Sequence, residues 1–397
     1  MKETPTGMRL HIGIFGRRNV GKTSLLNALA GQNVGIVSDV PGTTTDVVAK
    51  PMEIKPIGPV LLLDTAGLDD IGQLGLLRVQ RSRKTMERVD VAIVVCDTPL
   101  SNFEEELLKE LSATKIGKVV VFNKVDQWTP TEDDLKKARE LSGQVVCVSS
   151  KDGVGIDQLS EAIIAVIPQD YLDDRGILTD LVGPGDVVVL VVPIDLEAPK
   201  GRLILPQVQV IREVLDCDAR TVVVKERELS DTLDLFKTKP NLVITDSQAI
   251  LKVAADVPDD IPLTTFSILF ARWKGDLESF IQGTQAIDTL KPGAKILIAE
   301  TCSHHPIGED IGRVKIPRWL RQYVGGELHF DHTAGLDFPD NLTEYSLIVQ
   351  CGSCMTNRRE VLRRILQAKT AGVPITNYGL CISKSLGVLK RALSPFS

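Results

Sequence analysis

Aromatic residues are scarce, at 4% of 397 residues. Proteins that read single-stranded RNA need exposed aromatic rings interleaved with basic side chains. The sequence shows no such stretch. Its formal net charge is −6 and it has no long basic run, so a nucleic-acid surface is not expected. Long apolar runs are missing as well. The longest, 91–96 and 187–192, are strand-sized, whereas a membrane-crossing helix takes roughly 20 apolar residues. The opening Met1-Lys2-Glu3-Thr4-Pro5 lacks the apolar core of a signal peptide. Together these absences lead us to expect a cytoplasmic protein with neither a membrane nor a nucleic-acid partner.

What is present is ordinary for a globular chain: 43% apolar and 25% charged residues, in a length that accommodates two or three domains. Seven cysteines without an export signal argue against a disulfide framework. Cys96, Cys147, Cys217 and Cys381 lie in apolar or amphipathic segments and read as small buried hydrophobes.

Short β-rich runs alternate with amphipathic stretches nearly throughout, which predicts an α/β fold with mostly parallel strands. The first series has strands at 10–15, 47–54, 60–64, 91–96, 118–123 and 144–148. Helices are expected near 22–30, 74–88, 102–113, 132–141 and 156–167. Pro168 ends that series, because proline cannot continue a helical hydrogen-bond ladder. We divide the chain into a nucleotide domain (1–170), a polar linker with Gly176, Gly183 and Pro184 (171–184), and two further α/β regions, 185–265 and 266–397. The last two meet without a Gly/Pro-rich boundary.

The segment Gly16-Arg17-Arg18-Asn19-Val20-Gly21-Lys22-Thr23-Ser24 fits the G-x-x-x-x-G-K-[ST] phosphate loop, between a strand and a helix. Its glycines let backbone N–H groups curl around phosphates, and the helix start adds positive partial charge. Lys22 is expected on the β- and γ-phosphates, and Thr23 on magnesium. Asp64-Thr65-Ala66-Gly67 follows one strand, where a carboxylate can hold the magnesium shell and the Gly67 backbone can meet the γ-phosphate. Asn123-Lys124-Val125-Asp126 follows another; there a carboxylate can accept both N–H groups of a guanine edge, which adenine cannot offer. Ser149-Ser150-Lys151 completes the base pocket. Motifs in order at the carboxyl ends of parallel strands match the ligand crevice of open α/β sheets. The class is a P-loop GTPase domain.

The first domain resembles the TrmE–Era–EngA branch of GTPases. Pro41-Gly42-Thr43-Thr44-Thr45-Asp46 is similar to that branch's switch I, with Thr45 where Arg is usual. The resemblance makes Thr44 the switch threonine that senses magnesium and the γ-phosphate. Leu68 follows Asp-Thr-Ala-Gly where Ras-like proteins place a water-orienting glutamine. In similar GTPases the phosphate-loop asparagine helps hold a potassium ion, and Asn19 occupies that position. Potassium-stimulated hydrolysis is therefore expected.

Three cysteines stand apart. Cys302-Ser303-His304-His305 follows the strand expected at 295–299, and Cys351-Gly352-Ser353-Cys354 follows the one at 346–349. If both strands share a parallel sheet, the thiols can meet. Three thiols and an imidazole can bind zinc or an iron–sulfur cluster, and a C-x-x-C pair can be a redox site. His305, His329 and His332 have weaker claims as ligands. A TrmE–Era-type domain followed by C-x-H and a distant C-x-x-C resembles the HydF family, GTPases of iron–iron hydrogenase maturation, along the whole chain. That resemblance implies a 4Fe–4S cluster on Cys302, Cys351 and Cys354, with His304 a candidate fourth ligand. It further implies a homodimer built by 185–265, and a carrier that receives a two-iron precursor from radical-SAM maturases and delivers it to apo-hydrogenase. GTP hydrolysis would then be regulatory. Gln350 stands where the family often has His before C-x-x-C. Two other readings stay open on the residues alone: an RNA- or ribosome-linked GTPase with a structural zinc, and a metal-free redox enzyme using Cys351 and Cys354.

Overall fold

The structure is a computed structural model that describes residues 4–30, 48–54, 57–65, 85–114, 116–168, 176–193, 203–301, 310–335 and 337–396. It separates into two compact units, 1–174 and 175–397.

The first unit is built on a six-stranded sheet in the order β2-β3-β1-β4-β5-β6. Its strands are β1 (Leu10–Phe15), β2 (Val48–Ile54), β3 (Gly58–Asp64), β4 (Val91–Cys96), β5 (Gly117–Phe122) and β6 (Gln144–Cys147). Only β2 runs antiparallel. Alternate side chains of a strand leave opposite faces, and here both faces are covered. Leu10, Ile12, Ile14, Ile93 and Val95 pack on one side with Leu25 and Leu26 of α1 (Lys22–Leu29). Phe15, Ala92, Val94 and Cys96 pack on the other with Leu107, Leu108 and Leu111 of α2 (Asn102–Ala113). That explains why β4 reads as an unbroken apolar run. Helices α3 (Glu132–Ser142) and α4 (Ile156–Ala165) are the unit's other α-helices among the described residues. The expected 74–88 helix falls largely outside the described residues, as do Pro41 to Asp46, Gly67 and Leu68.

The second unit holds two four-stranded parallel sheets. One, ordered β10-β9-β7-β8, uses β7 (Val187–Val191), β8 (Arg220–Val224), β9 (Leu242–Thr245) and β10 (Leu263–Thr265). The other, ordered β12-β11-β13-β14, uses β11 (Lys295–Ala299), β12 (His329–Thr333), β13 (Leu347–Gln350) and β14 (Ile375–Asn377). Helices α5 (Leu205–Asp216), α6 (Leu229–Asp234) and α7 (Ile250–Asp256) alternate in sequence with the strands of the first of these sheets, and α8 (Phe266–Lys274) and α9 (Leu277–Gln285) lead from β10 to β11. After them come α10 (Ile316–Val324), α11 (Arg358–Thr370), α12 (Tyr378–Ser385) and α13 (Leu389–Ala392).

Two features differ from the sequence reading. Ile177, Leu178 and Val182, within the expected linker, are buried with Val188, Leu190 and Val210. Helix α8 serves both sheets: Phe266, Leu269 and Phe270 pack in that cluster, whereas Ile268 and Ala271 pack with β11 and β13. The absence of a Gly/Pro boundary near 265 thus reflects shared packing.

Candidate functional site

The phosphate loop is shaped by residues that cannot be exchanged freely. Gly16 has φ +147°, and a Cβ there would stand 2.4 Å from the Val95 carbonyl oxygen. Gly21 has φ +92°, and its Cβ would stand 2.3 Å from Asn123 Nδ2. Asn19 is left-handed at φ 63°, a conformation that asparagine tolerates better than most residues. Lys22, on the first turn of α1, is 9% exposed and donates to the carbonyls of Gly16 (2.9 Å) and Arg17 (2.6 Å). The loop is curled with its ammonium held inside.

Thr23 Oγ1 lies 3.3 Å from Asp64 Oδ2, at the end of β3. Burial pushes the Asp64 carboxyl above its ordinary value, against the pull of Lys22 and the Thr23 hydroxyl. A hydroxyl beside a partly desolvated carboxylate is an oxygen donor set suited to a hard cation such as magnesium. Thr44 and Gly67 lie outside the described residues.

The base side is a connected network. Asn123 is 1% exposed; its Nδ2 donates to the Val20 carbonyl (2.9 Å), and its Oδ1 accepts from the Ser150 amide (3.1 Å) and hydroxyl (2.8 Å). Ser149 Oγ donates to Asp126 Oδ1 at 3.0 Å and also meets Asp152. Slight desolvation opposes it, yet the bond from Ser149 helps hold the Asp126 carboxyl below its ordinary value. The carboxylate is therefore charged at neutral pH and able to accept. Lys124, left-handed at φ 62°, reaches the Asn19 carbonyl (2.7 Å) and pairs with Asp97 (2.7 Å). Phosphate-loop and base-loop motifs from four strand ends are thus brought into direct contact. Ser24 follows on the first turn of α1, and Lys151 is exposed.

Sequence reasoning missed several supports. Arg17 Nε donates to fully buried Glu104 (2.7 Å), which also caps α2 by accepting from the Ser101 amide (3.0 Å). The Ser-x-x-Glu capping box was the signal available. Trp128 Nε1 donates to the Asn123 carbonyl at 3.0 Å.

The cysteine region lies at the carboxyl ends of β11 and β13, which are neighbours with Ala299 opposite Gln350. Cys302, His304 and His305 are outside the described residues. Thr301, the residue before Cys302, donates its amide to Cys351 Sγ at 3.2 Å, with its hydroxyl 3.3 Å away. Burial, then the nearby Cys351, pushes the Cys354 thiol up to about 11. Buried Lys274 donates to the carbonyls of Ser353, Cys354 and Thr356, and its own value is lowered by burial to about 8. Gln350 is 1% exposed; its Nε2 donates to Ser353 Oγ (2.8 Å), while Oε1 has no partner among the described residues. His332 contacts the Gly312 carbonyl (3.3 Å), and His329 is exposed on β12. Among the described residues no three His, Cys, Asp or Glu side chains converge on a metal position. Two thiols nonetheless fit thiolate ligation, because the N–H donor to sulfur and the buried cation each stabilise anionic sulfur. Cys96 and Cys381 are buried, and Cys147 and Cys217 half-buried.

Fold and loops define a P-loop GTPase-type α/β domain followed by two further parallel sheets. Residues 11–124 match a family model described as 50S ribosome-binding GTPase. Residues 177–275 match the hydrogen maturase F dimerization domain, and residues 278–395 match the hydrogen maturase F tetramerization domain. These last two take in more than half of the chain, which belongs to the hydrogen maturase F family.

Curated relatives align with the first domain. GTPase Der of Wolinella succinogenes is 36% identical over 177 residues, covering 42% of this chain and 37% of that protein. The tRNA modification GTPase MnmE of Dechloromonas aromatica is 34% identical over 171 residues, covering 42% and 36%. The chain thus spans little more than a third of their length. Among solved structures, the G domain of the T. maritima FeoB iron transporter is 25% identical, covers 40% of this chain and 99% of that one, and has a TM-score of 0.33. Aquifex aeolicus Era bound to GDP.AlF4- is 21% identical, covers 57% and 98%, and has a TM-score of 0.35.

Proposed function

We propose that the chain binds and hydrolyses GTP in its first domain and carries an iron–sulfur cluster at the cysteine ends of its last sheet. On this reading it is a scaffold and carrier for the two-iron precursor of the hydrogenase active site. Lys22 and the backbone of Gly16, Asn19, Val20, Gly21, Thr23 and Ser24 cradle the phosphates. Asp126 accepts the guanine edge, while Asn123, Lys124, Ser149, Ser150 and Lys151 build its pocket. Magnesium, held by Thr23 and Thr44 with Asp64 behind, neutralises charge on the phosphates. The Gly67 backbone meets the γ-phosphate. Asn19 contributes to a potassium site that supplies charge where Leu68 supplies no polar group. Cys302, Cys351 and Cys354 hold a 4Fe–4S cluster, with His304 a candidate fourth ligand.

One observation carries the cluster reading. The amide of Thr301 lies on the Cys351 sulfur, so the sheet delivers the chain leading into Cys302 to the other cysteine loop. The matched domain names support a homodimer or higher assembly. Cytoplasmic location, radical-SAM maturases as source and apo-hydrogenase as recipient belong to the same proposal. The test is reconstitution of the full chain with precursor, followed by activation of apo-hydrogenase. Failure with Cys302→Ala, and persistence with Lys22→Ala in the final transfer step, is the expected pattern. Full activation by Cys302→Ala contradicts it.

A ribosome- or RNA-linked role is the second reading, favoured by the names of the family model and the relatives that match the first domain. Colourless protein with bound zinc after anaerobic purification would support it.

A further inference from the structure

We propose that Lys274 is a positioning residue of the cluster site: its buried ammonium shapes the 351–356 loop and sets the charge felt by a cluster bound there. This rests on reading Cys302, Cys351 and Cys354 as the ligands.

Lys274 ends α8 and is 2% exposed. Its Nζ donates to the carbonyls of Ser353 (3.0 Å), Cys354 (3.2 Å) and Thr356 (2.7 Å). An ammonium has three donors, and all of them go to one turn of chain. Ser353, between the two cysteines, is left-handed at φ 54°, which a residue with a Cβ adopts only when its surroundings hold it. The lysine's bond to that residue's carbonyl is one such restraint, and the Gln350 bond to its hydroxyl is another.

Lysines are almost never fully buried unless paired. Among the described residues no carboxylate pairs with this one; the ionisable groups that bear on it are the thiols of Cys354 and Cys351. Its other neighbours are the rings of Trp273 (5.0 Å to the centroid) and Phe270 (5.7 Å). Trp273 is fixed in turn, because its carbonyl accepts from Arg358 Nη1 at 2.6 Å. A dry cation with no carboxylate partner, bonded to the turn that carries two cysteines, is placed to favour anionic sulfur. A cluster on three thiolates is net negative, and reduction adds one more negative charge. Charge and hydrogen bonding near the sulfurs set such potentials. A fixed cation therefore favours the reduced form. Lys274 also lies within the stretch matched by the dimerization model, whereas the loop it holds lies in the tetramerization match. Residues 278–395 alone do not complete the site.

The test uses the full chain, reconstituted anaerobically with iron and sulfide, as wild type, Lys274→Gln and Lys274→Met. Gln keeps N–H donors without charge; Met keeps neither. EPR-monitored titration is expected to place the midpoint potential of both variants below the wild-type value. Iron loss to a chelator should rise roughly tenfold to a hundredfold in Lys274→Met, and less in Lys274→Gln. A wild-type potential in Lys274→Gln overturns the electrostatic role, and wild-type iron retention in Lys274→Met overturns the loop-shaping role. Circular dichroism of the apo-proteins is the control: an unfolded Lys274→Gln makes the lysine a folding residue and also overturns the proposal. The ligand reading fails separately, when wild type binds no cluster or when the cluster survives Cys351→Ala.

Discussion

On the proposed reading, Asp126 concentrates the specificity of the nucleotide domain in one carboxylate. Its oxygens face solvent on one side and the Ser149 hydroxyl, 3.0 Å away, on the other. Hydrogen bonds to a charged group contribute about 1.5–3 kcal/mol each. An Asp126→Asn variant gives up the charge and the paired acceptors at once. We expect GTP affinity to fall by at least about a hundredfold, read by calorimetry, with the thermal unfolding of the apo-protein nearly unchanged. Lys22 differs, because its ammonium already bonds two loop carbonyls before any phosphate arrives. For Lys22→Ala we expect hydrolysis to drop by roughly a hundredfold or more, in a phosphate-release assay. The contacts between the phosphate loop and the 123–126 and 149–150 loops were legible in sequence because each candidate residue sits in a short motif whose spacing encodes a turn. Arg17, Glu104 and Lys274 were not, since their partners are 87 and about 80 residues away and follow from no local pattern.

Among the elements, α11 carries a buried charge network. Glu360 is 1% exposed and pairs with Arg363 (2.9 Å) and with fully buried Arg364 (2.7 Å), whose guanidinium lies over the Phe338 ring. Burial pushes the Glu360 carboxyl up, but the two guanidiniums prevail and hold it below its ordinary value. A depressed carboxylate stabilises the fold above its unfolded pKa, near 4.3, and loses that contribution as pH falls through the folded value. Glu360→Gln leaves Arg364 buried without its countercharge, which costs about 3–5 kcal/mol. Denaturant unfolding at pH 7 should show that loss, and the gap between variant and wild type should close as the pH drops below about 4.

Element boundaries show what sequence pattern can and cannot supply. The strands at 187–192 and 295–299 announce themselves as apolar runs, while β10 has only Leu263–Thr265 before a helix and was missed. Helices α8 and α9 are parted at Gly275, where a Cβ would meet the Phe280 ring at 2.6 Å. Helix α12 begins at Tyr378 because Asn377 caps it by accepting from the Leu380 amide (2.9 Å).

Across the whole molecule, the order of segments tells more than any one of them: phosphate loop, guanine loop, then cysteines at neighbouring strand ends. Fold class and family were legible because that order is itself a pattern. The shared packing of α8 between the two later sheets was not, since it depends on which faces meet in space. The chain as a whole should hydrolyse GTP faster in potassium than in sodium, with the difference lost in Asn19→Ala; equal rates in the two salts would remove Asn19 from that role. The most direct measurement of the central claim is iron and acid-labile sulfide per chain after anaerobic reconstitution, for wild type and Cys351→Ala side by side. We predict brown wild-type protein with about four of each per chain and a reduced-state EPR signal, both lost in the variant. Colourless wild-type protein, or a cluster that persists in Cys351→Ala, would contradict it.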